Sequence, residues 1–423
     1  MLTRRDWLKL TTTGAVGAVL PGLLAASEDE KRLIYDYEQP MFDLPGRLKE
    51  PVIIESIELL RAGPNHFVRT RAKNGATGLT PTKQVASFVG IFEQMVAPYF
   101  TGRDARDIES IIDEVYLAHY KDVGLPFWVC LAYCEQSSLD LLGKTAGQPV
   151  GALLGGVCRK EIPIYLSGSA RELTAEAEAD IYVQGVAETG ARAVKFKIGG
   201  RMSRNLDAHP GRTETLVKRG REKLPPDCIL YADANGSYDA RKAIETGRLL
   251  EELNYSFFEE PCPYEEFTET QAVTKALRIP IALGEQHSSL WQFRWMMKNG
   301  VMNIVQPDIN YNGGLIRAIR VARMAAAAGL TIVPHNTQSG VAAVHILQFA
   351  SCVPNIGPYM EHTWRKSQQP ADWHSPNFLI KDGKLPVPTG PGFGLTIDPA
   401  YLAKAEVLAK ISGPALKAGD RRD

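Results

Sequence analysis

The sequence predicts an α/β fold: a (β/α)₈ barrel preceded by an α+β unit, which the C-terminal segment completes. From residue 162 onward, short apolar segments alternate with helical ones, which is typical of successive βα units. Three of those segments end in an acid, and each acid lies 26 residues from the next. This spacing suits a barrel, in which one βα unit takes about 30 residues. The eight predicted strands are residues 162–167, 193–198, 229–234, 255–259, 279–284, 303–307, 330–334 and 358–361.

The chain of 423 residues divides into five predicted segments. The first resembles a twin-arginine export signal, because Arg4 and Arg5 precede a modest apolar stretch that is short for a membrane span. The alternative is a chance arginine pair before an amphipathic helix. We therefore expect export to a bacterial periplasm without stable membrane insertion. The segments are 1–26 (signal), 27–50 (polar linker), 51–160 (α+β unit), 161–375 (barrel) and 376–423 (returning C-terminal segment).

The α+β unit is predicted from a change of pattern within it. Residues 52–81 alternate in the manner of strands, and Lys73-Asn74-Gly75 predicts a hairpin turn. Residues 83–147 are predicted to be helical, with one helix ending at Gly143. In the C-terminal segment, residues 376–397 are predicted to return toward this unit through a hairpin turn at Asp382-Gly383.

Composition narrows the class of partner. Lys+Arg and Asp+Glu each total 48, and no basic run is present, so nucleic acid is not expected. A small molecule is the expected partner. The six cysteines form no C-x-x-C pair, and their spacing demands neither a metal site nor a disulfide.

The three equally spaced acids, Asp233, Glu259 and Glu285, each close an apolar segment. The carboxyl ends of barrel strands converge on one face, where active sites lie. Three converging carboxylates repel one another unless a cation lies between them, and ligation by oxygen alone suits Mg²⁺. The alternative is three solvated acids at helix starts, which also favour acidic residues.

Two lysines lie on the second predicted barrel strand. Lys195 and Lys197 are two residues apart and therefore share one face of the strand. Each ammonium group disfavours the charge of the other, and burial adds to this effect, so we expect one lysine to act as a neutral base near pH 7. The alternative is a solvated pair at the edge of a sheet.

Four further polar residues lie at or just beyond predicted strand ends. Asn235 is expected to contact substrate or to hold a water molecule. Asp308 and His335 end neighbouring strands, so the carboxylate is expected to fix the imidazole tautomer and support its charged form. Glu361 is a fourth acid, expected to hydrogen-bond a substrate oxygen. The remaining histidines considered, His345 and His362, are expected to be packing or surface residues.

Bases on two sides of a metal-bound ligand suit the removal of a proton next to a carboxylate. Such protons are weakly acidic, and Mg²⁺ stabilises the enediolate because charge develops on the oxygens that it holds. The expected substrate is therefore a small-molecule carboxylate.

This arrangement resembles the enolase superfamily, and within it the mandelate racemase subgroup, over about residues 52–398. The resemblance implies an N-terminal capping domain, a modified barrel and one Mg²⁺ per subunit; enolase-superfamily sites pair a Lys or His base with Mg²⁺. We also expect a homo-oligomer. The Lys195-Phe196-Lys197 segment is similar to the family's K-x-K motif. The implied roles are Lys197 as one base, Lys195 as its electrostatic partner, Asp308 and His335 as the second base pair, Glu361 as stabiliser of the enediolate, and Asp233, Glu259 and Glu285 as metal ligands.

The resemblance leaves the reaction open. The muconate lactonizing and dipeptide epimerase subgroups use a lysine on strand six, where this chain has Tyr311, so those subgroups are disfavoured. Dehydration of an acid sugar (an aldonate or aldarate) is favoured. Racemisation or epimerisation of an α-hydroxy acid is one alternative. A non-catalytic exported sugar-acid-binding protein is another, and it predicts the loss of a base or a ligand. Residues 61–66 and 100–103 are candidate specificity loops.

Overall fold

The computed structural model describes residues 41–83, 85–168, 171–365 and 368–416. The predicted export signal and most of the predicted linker lie outside these residues and stay predictions, as do the segment boundaries. The last part of the predicted linker contains a short helix, α1 (Leu44–Arg47), and the backbone N–H groups of Met41 and Phe42 donate to Glu109. Among the described helices, none has the length and apolar character needed to cross a bilayer.

The capping domain begins with an antiparallel sheet. Strands β1 (Ile54–Ala62), β2 (Asn65–Ala72) and β3 (Thr77–Thr82) are neighbours in chain order. Gly75, with φ of 87°, occupies the β2–β3 turn, and the Ala72 N–H donates to the Ala76 carbonyl at 2.9 Å. This confirms the predicted hairpin, because a positive φ at this position favours glycine.

One long helix covers the capping sheet. The helices of this region are α2 (Val89–Ile91), α3 (Ile108–Ala118), α4 (Leu125–Ala146) and α5 (Val150–Leu153). A Cβ added to Gly78 of β3 would lie 2.0 Å from the Ser137 carbonyl, so glycine permits the close packing of α4. The prediction that a helix ends at Gly143 is wrong. α4 continues past Gly143, whose missing side chain admits the backbone of Gly392, and ends at Gly147 with φ of 64°.

The barrel contains all eight predicted strands. They are β4 (Glu161–Ser167), β5 (Ala193–Lys197), β6 (Ile229–Asp233), β7 (Phe257–Glu259), β8 (Ile281–Leu283), β9 (Ile304–Val305), β10 (Thr331–Ile332) and β11 (Met360–Thr363). They pair in parallel in the order β10-β9-β8-β7-β6-β5-β4-β11. Ile332 of β10 exchanges backbone hydrogen bonds of 3.1 and 2.9 Å with Asn355 and Gly357, in the segment that leads into β11. The predicted fold class is confirmed.

Helices lie between the barrel strands along the chain. Within the described residues they are α6 (Ala175–Thr189), α7 (Arg212–Lys223), α8 (Ala240–Glu252), α9 (Phe267–Ala276), α10 (Leu290–Lys298), α11 (Leu315–Ala327) and α12 (Val344–Cys352). Aromatic rings fill the barrel below the strand ends. Tyr231 stacks on Phe257 with ring centroids 3.8 Å apart, and Tyr165 lies edge-on to Tyr231 at 5.1 Å. Because side chains two residues apart share a face, Tyr231 and Phe257 lie directly below the acids that end β6 and β7.

The C-terminal segment reaches both domains. β12 (His374–Ser375) lies just before this segment, whose own elements are β13 (Lys384–Pro386), β14 (Thr396–Ile397), α13 (Pro399–Leu402) and β15 (Glu406–Ser412). Asp382 and Gly383 have φ of 50° and 70°, which confirms the predicted turn. The strand that joins the capping sheet is β15, which pairs with β1. It lies beyond residues 376–397, where the return was expected, and β13 instead pairs with β4 of the barrel.

A buried carboxylate connects the capping domain to the barrel. Glu135 of α4 accepts the N–H groups of Leu315 and Ile316, at 3.1 and 2.7 Å, at the start of α11. A Cβ added to Gly314 would lie 2.6 Å from this carboxylate, so the glycine makes room for it. Burial raises the pKa of Glu135 to about 8, although the two N–H donors oppose the shift.

We expect the Glu135 carboxyl group to make the stability of the protein depend on pH. The folded chain keeps its proton between pH 4.5, the ordinary value, and about 8, whereas the unfolded chain releases it. Stability contributed by this group is therefore lost as the pH rises through that window. Between pH 5 and pH 8 the wild type should lose about 1–3 kcal/mol more unfolding free energy than Glu135→Gln, because the glutamine cannot ionise. Denaturant unfolding at the two pH values measures this difference. Glu114→Gln, which removes a surface partner of Arg103, should follow the wild type; parallel behaviour of all three proteins would contradict the prediction.

Candidate active site

The three equally spaced acids meet at one end of the barrel. Asp233 ends β6, Glu259 ends β7, and Glu285 follows β8 by two residues. Each offers one carboxylate oxygen, and the three oxygens lie within 4.8 Å of one another. The side chains are buried, since the residues are 0, 1 and 6 % exposed. The structure therefore brings together the residues that the sequence predicts as metal ligands.

Both lysines of β5 contact these acids. Lys195 Nζ donates to both carboxylate oxygens of Glu259, at 2.7 and 2.8 Å, and lies 2.9 Å from Glu361. Lys197 Nζ contacts Asp233 Oδ2. Lys195 is enclosed by protein, whereas Lys197 borders the cavity described below.

The expectation that one lysine is neutral is not met by the protein groups alone. Burial lowers the pKa of both lysines, but the negative charges of Glu259 and Glu361 outweigh it at Lys195, and that of Asp233 outweighs it at Lys197. Both pKa values are therefore raised above the ordinary value. The repulsion between the two lysines on one strand is outweighed by the attraction of the acids on the adjacent strands.

The predicted histidine pair forms on the other side of the cluster. His335 Nδ1 lies 2.9 Å from Asp308 Oδ2, and His335 Nε2 lies 3.3 Å from Glu285 Oε2. Asp308 is itself held, because its Oδ1 accepts the N–H groups of Asn310 and Tyr311 at 2.7 and 3.0 Å. This geometry fixes the imidazole with Nε2 toward the acidic cluster.

The charge state of His335 follows from the acids around it. Burial lowers the pKa, but the charges of Glu285 and Glu361 and the hydrogen bond to Asp308 raise it to about 10. The protein groups therefore favour the imidazolium form.

Glu361 lies between the two sides. It accepts hydrogen bonds from Ser167 Oγ at 2.6 Å and from the Asn336 N–H at 2.9 Å, besides its contact with Lys195. Burial raises its pKa, but the charges of Lys195 and His335 outweigh this and lower it to about 2. Glu361 is thus a carboxylate whose position is fixed by Ser167, Asn336 and Lys195.

Asn235 links the metal-ligand strands to their loops. Its N–H donates to Asp233 Oδ1 at 2.8 Å, and its Nδ2 lies 3.3 Å from Asp233 Oδ2 and 3.4 Å from Glu260 Oε2. Asn235 and Glu260 both have left-handed backbones, with φ of 41° and 39°. Such conformations are costly in residues other than glycine and concentrate at functional sites.

Among the buried side chains of the site, acids outnumber basic groups six to three, and this fits a divalent cation. Burial and the charge of Asp233 raise the pKa of Glu259 to about 8, and burial and the charge of Glu285 hold the pKa of Glu260 well above its ordinary value. Glu285 Oε2 is buried, and among the described residues it has the ion-pair contact with His335 Nε2 at 3.3 Å but no hydrogen bond. An oxygen-ligated ion such as Mg²⁺ suits this donor set. The buried acids are Asp233, Glu259, Glu260, Glu285, Asp308 and Glu361, against the basic groups Lys195, Lys197 and His335.

A cavity of about 570 Å³ opens onto the site, and Lys197, His335 and Glu361 line it together. A second cavity of about 420 Å³ shares Glu285 and His335 with the first and extends toward Glu260 and Tyr311. The residue at the position considered for a strand-six lysine, Tyr311, thus faces the site.

One predicted specificity loop reaches the cavity and the other does not. Asn65 and His66, from residues 61–66, line the larger cavity. Residues 100–103 line neither cavity, which corrects that expectation. Their backbone is used to hold the capping domain, since the Gly102 N–H donates to the Ile54 carbonyl and Arg103 pairs with Glu114.

The structure also settles the two histidines expected to pack or to lie at the surface. His345 and His362 are 1 and 0 % exposed, so both are packing residues. His345 Nε2 lies 2.6 Å from Thr80 Oγ1, between β3 and α12. All six cysteines are free thiols in the structure.

Residues 176–401 match the family described as enolase C-terminal domain-like. The chain belongs to the enolase superfamily. A sequence relative is arabinonate dehydratase of Saccharolobus solfataricus, 27 % identical over 311 residues, with 72 % of this chain and 80 % of the relative covered. Dehydratases and racemases are the enzymes that this chain resembles, and the protein is accordingly an enzyme of the lyase or isomerase class.

Two solved structures share the whole architecture. A proposed racemase from Roseobacter denitrificans is 31 % identical, with a TM-score of 0.79 over 85 % of this chain and 100 % of its own. A mandelate racemase/muconate lactonizing protein from Paracoccus denitrificans PD1222, in complex with magnesium, is 28 % identical, with a TM-score of 0.77 over 85 % and 99 %. The fold similarity covers both the capping domain and the barrel.

One residue that supports the position of His335 indirectly was not expected from the sequence. Gln136 of α4 donates from Nε2 to Asn310 Oδ1 at 2.8 Å, and both residues are buried. The Asn310 N–H in turn holds Asp308, the partner of His335. The capping domain thereby supports the loop that orients the imidazole.

Removing this support should affect turnover more than folding. Gln136→Leu keeps the size of the side chain and removes its hydrogen bond, so we expect kcat to fall about 10–100-fold as His335 loses its orientation. Gln348→Leu is the matched control, because Gln348 is equally buried and bonds Gly151 and Pro388 away from the site. Both variants should lose about 1–3 kcal/mol of unfolding free energy, measured in denaturant. Equal kcat in the two variants would show that the Gln136 contact is structural only.

Proposed function

We propose that the protein removes the α-proton of a carboxylate substrate with the help of one Mg²⁺ held by Asp233, Glu259 and Glu285. The observation that carries this proposal is that Lys197 and His335 line one cavity from the two sides of the acidic cluster. Bound Mg²⁺ supplies charge stabilisation at the substrate carboxylate and offsets the excess of acids that holds Lys197 charged.

The protein's own groups divide the remaining work. Lys197 takes the α-proton, and the Lys195 ammonium offsets the negative charge of the enediolate that results. Glu361, as a carboxylate, can only accept a hydrogen bond, so it is suited to a substrate hydroxyl rather than to an enediolate oxygen. Glu361 is suited to a fixed position because Ser167, Asn336 and Lys195 all bind it.

Dehydration of an acid sugar, an aldonate or aldarate, is the reaction we favour. Expulsion of a β-hydroxyl needs an acid, and His335 is placed for this role because Asp308 holds its Nδ1 and its Nε2 points toward the acidic cluster beside the cavity. The imidazolium gives its proton to the leaving hydroxyl, the C–O bond breaks, and water departs. The enol that remains takes up a proton at carbon to become a 2-keto acid. Similarity to the Saccharolobus solfataricus arabinonate dehydratase supports this choice.

Racemisation is the second candidate. The same two groups lie on two sides of the cavity, as a racemase requires, and the Roseobacter denitrificans protein supports this reading. A non-catalytic binding protein is disfavoured, because every expected base and ligand is present in the site. We further propose, from Arg4-Arg5 and the apolar stretch after it, that the enzyme is exported by a bacterium, and we expect a homo-oligomer.

The proposed chemistry should appear as exchange of the substrate α-proton. In deuterium oxide with Mg²⁺, at least one acid from a library of aldonates, aldarates and simple α-hydroxy acids should incorporate deuterium at the α-carbon or yield a 2-keto acid, followed by NMR. EDTA should stop the reaction and added Mg²⁺ restore it. The absence of both α-proton exchange and 2-keto acid formation with every acid would sink the proposal, whereas a 2-keto product separates dehydration from racemisation.

Substitution of the two bases should separate their roles. If the reaction is dehydration, Lys197→Ala and His335→Asn should each lower product formation about 10²–10⁴-fold. Deuterium exchange at the α-carbon should persist only in His335→Asn, because Lys197 alone removes that proton. His209→Asn, at an exposed histidine, is the control, and thermal unfolding checks that each variant is folded. Full turnover in both base variants would refute the assignment.

A further inference from the structure

Two cationic side chains border the active site without an acidic partner. Lys83 and Arg201 each line both the larger and the smaller cavity. Neither forms an ion pair with any residue of the described ranges. Lys83 Nζ donates only to the Thr337 hydroxyl, at 3.1 Å, in the loop that follows His335. Unpaired cations in a cavity favour an anionic ligand there.

The backbone holds both residues in place from two different domains. Lys83 directly follows β3 of the capping sheet, and its N–H donates to the buried hydroxyl of Tyr133 at 3.0 Å. Arg201 lies in the loop after β5 with a left-handed φ of 62°. Its N–H donates to Ser237 Oγ at 3.0 Å, and the N–H of Met202, also left-handed, donates to the Asn235 carbonyl at 2.9 Å. A strained loop that is tied down beside a cavity indicates function.

The acids that line these cavities already have other roles. Glu285 and Glu361 belong to the reaction site, and Glu260 bonds Asn235. The proposed reactive carboxylate is bound by the groups around Lys195 and the metal ligands, so Lys83 and Arg201 are not needed to hold it. Their charges therefore remain for a second anionic group.

We propose that Lys83 and Arg201 form a cationic subsite for a second anionic group of the substrate, which is therefore a sugar acid charged at both ends. This inference rests on the proposed function and narrows its substrate class. A terminal carboxylate and a terminal phosphate present the same chemistry to the two cations. Aldarates and phosphorylated aldonates are the two sources of such a group.

Matched substrates test the subsite. Each C5 and C6 aldonate is compared with the aldarate and the terminal phosphate ester of the same configuration, in the presence of Mg²⁺. The doubly charged acid should have the higher kcat/KM. The preference is the kcat/KM for the doubly charged acid divided by the kcat/KM for the matching aldonate. Lys83→Met and Arg201→Met should each lower this preference about 10–100-fold, because each removes a charge-assisted contact. Lys73→Met, in the β2–β3 turn outside both cavities, should leave the preference unchanged.

Calorimetric titration with the same acids separates failure of the subsite from failure of the proposed reaction. Tighter binding of doubly charged acids, lost in both variants, supports the subsite even if no acid exchanges its α-proton. Equal affinity of the wild type for singly and doubly charged acids overturns the subsite. It is also overturned if the two variants lose affinity equally for the singly and the doubly charged acids. In that case the α-proton exchange of the wild type still decides the proposed reaction. Preference between the aldarate and the phosphate ester identifies the source of the anion.

Discussion

The excess of buried negative charge at the barrel mouth is the constraint on which the rest of the site depends. Six acids face three basic groups there, and buried charges that remain unpaired cost several kcal/mol each. Protein groups absorb part of the excess: Lys195 binds Glu259 and Glu361, Lys197 binds Asp233, and His335 is held as a cation. The acids that remain are centred on Asp233, Glu259 and Glu285, so the charge and the oxygen donors there fit a divalent ion.

The barrel interior strengthens every one of these interactions. Tyr165, Tyr231 and Phe257 form an aromatic layer directly below the charged layer, and Lys195 Nζ lies 5.4 Å from the centre of the Tyr165 ring. The low dielectric of such a layer increases both the attraction between the ions and the cost of leaving one unpaired. Because side chains two residues apart share a strand face, the barrel has an aromatic layer and, one step further along the strands, the layer of charged groups.

The sequence predicted the site better than its surroundings, and the reason is physical. Strand alternation and the repeat of the βα unit fix which side chains converge, so the positions of Asp233, Glu259, Glu285 and His335 followed from local pattern. The charge state of Lys197 did not, because it depends on acids from other strands. Gly143 was misread as a helix end because its role is close approach to Gly392, a contact 249 positions away along the chain. The pairing of β15 with β1 and the contact of Gln136 with Asn310 are equally non-local.

Lys197 and His335, on the two sides of the acidic cluster, are held in place by different parts of the protein. Lys197 depends on the barrel alone, since its ion partner ends the adjacent strand. His335 depends on Asp308, whose loop is held by α4 through Gln136, while the neighbouring Glu135 binds the start of α11. The same capping domain contributes Asn65, His66 and Lys83 to the cavity. A change in how the capping domain packs therefore alters the position of His335 and the walls of the cavity together, whereas Lys197 on β5 stays in place. In the mechanism that we propose, proton removal depends on the barrel, and the fate of the resulting enediolate depends also on the capping domain.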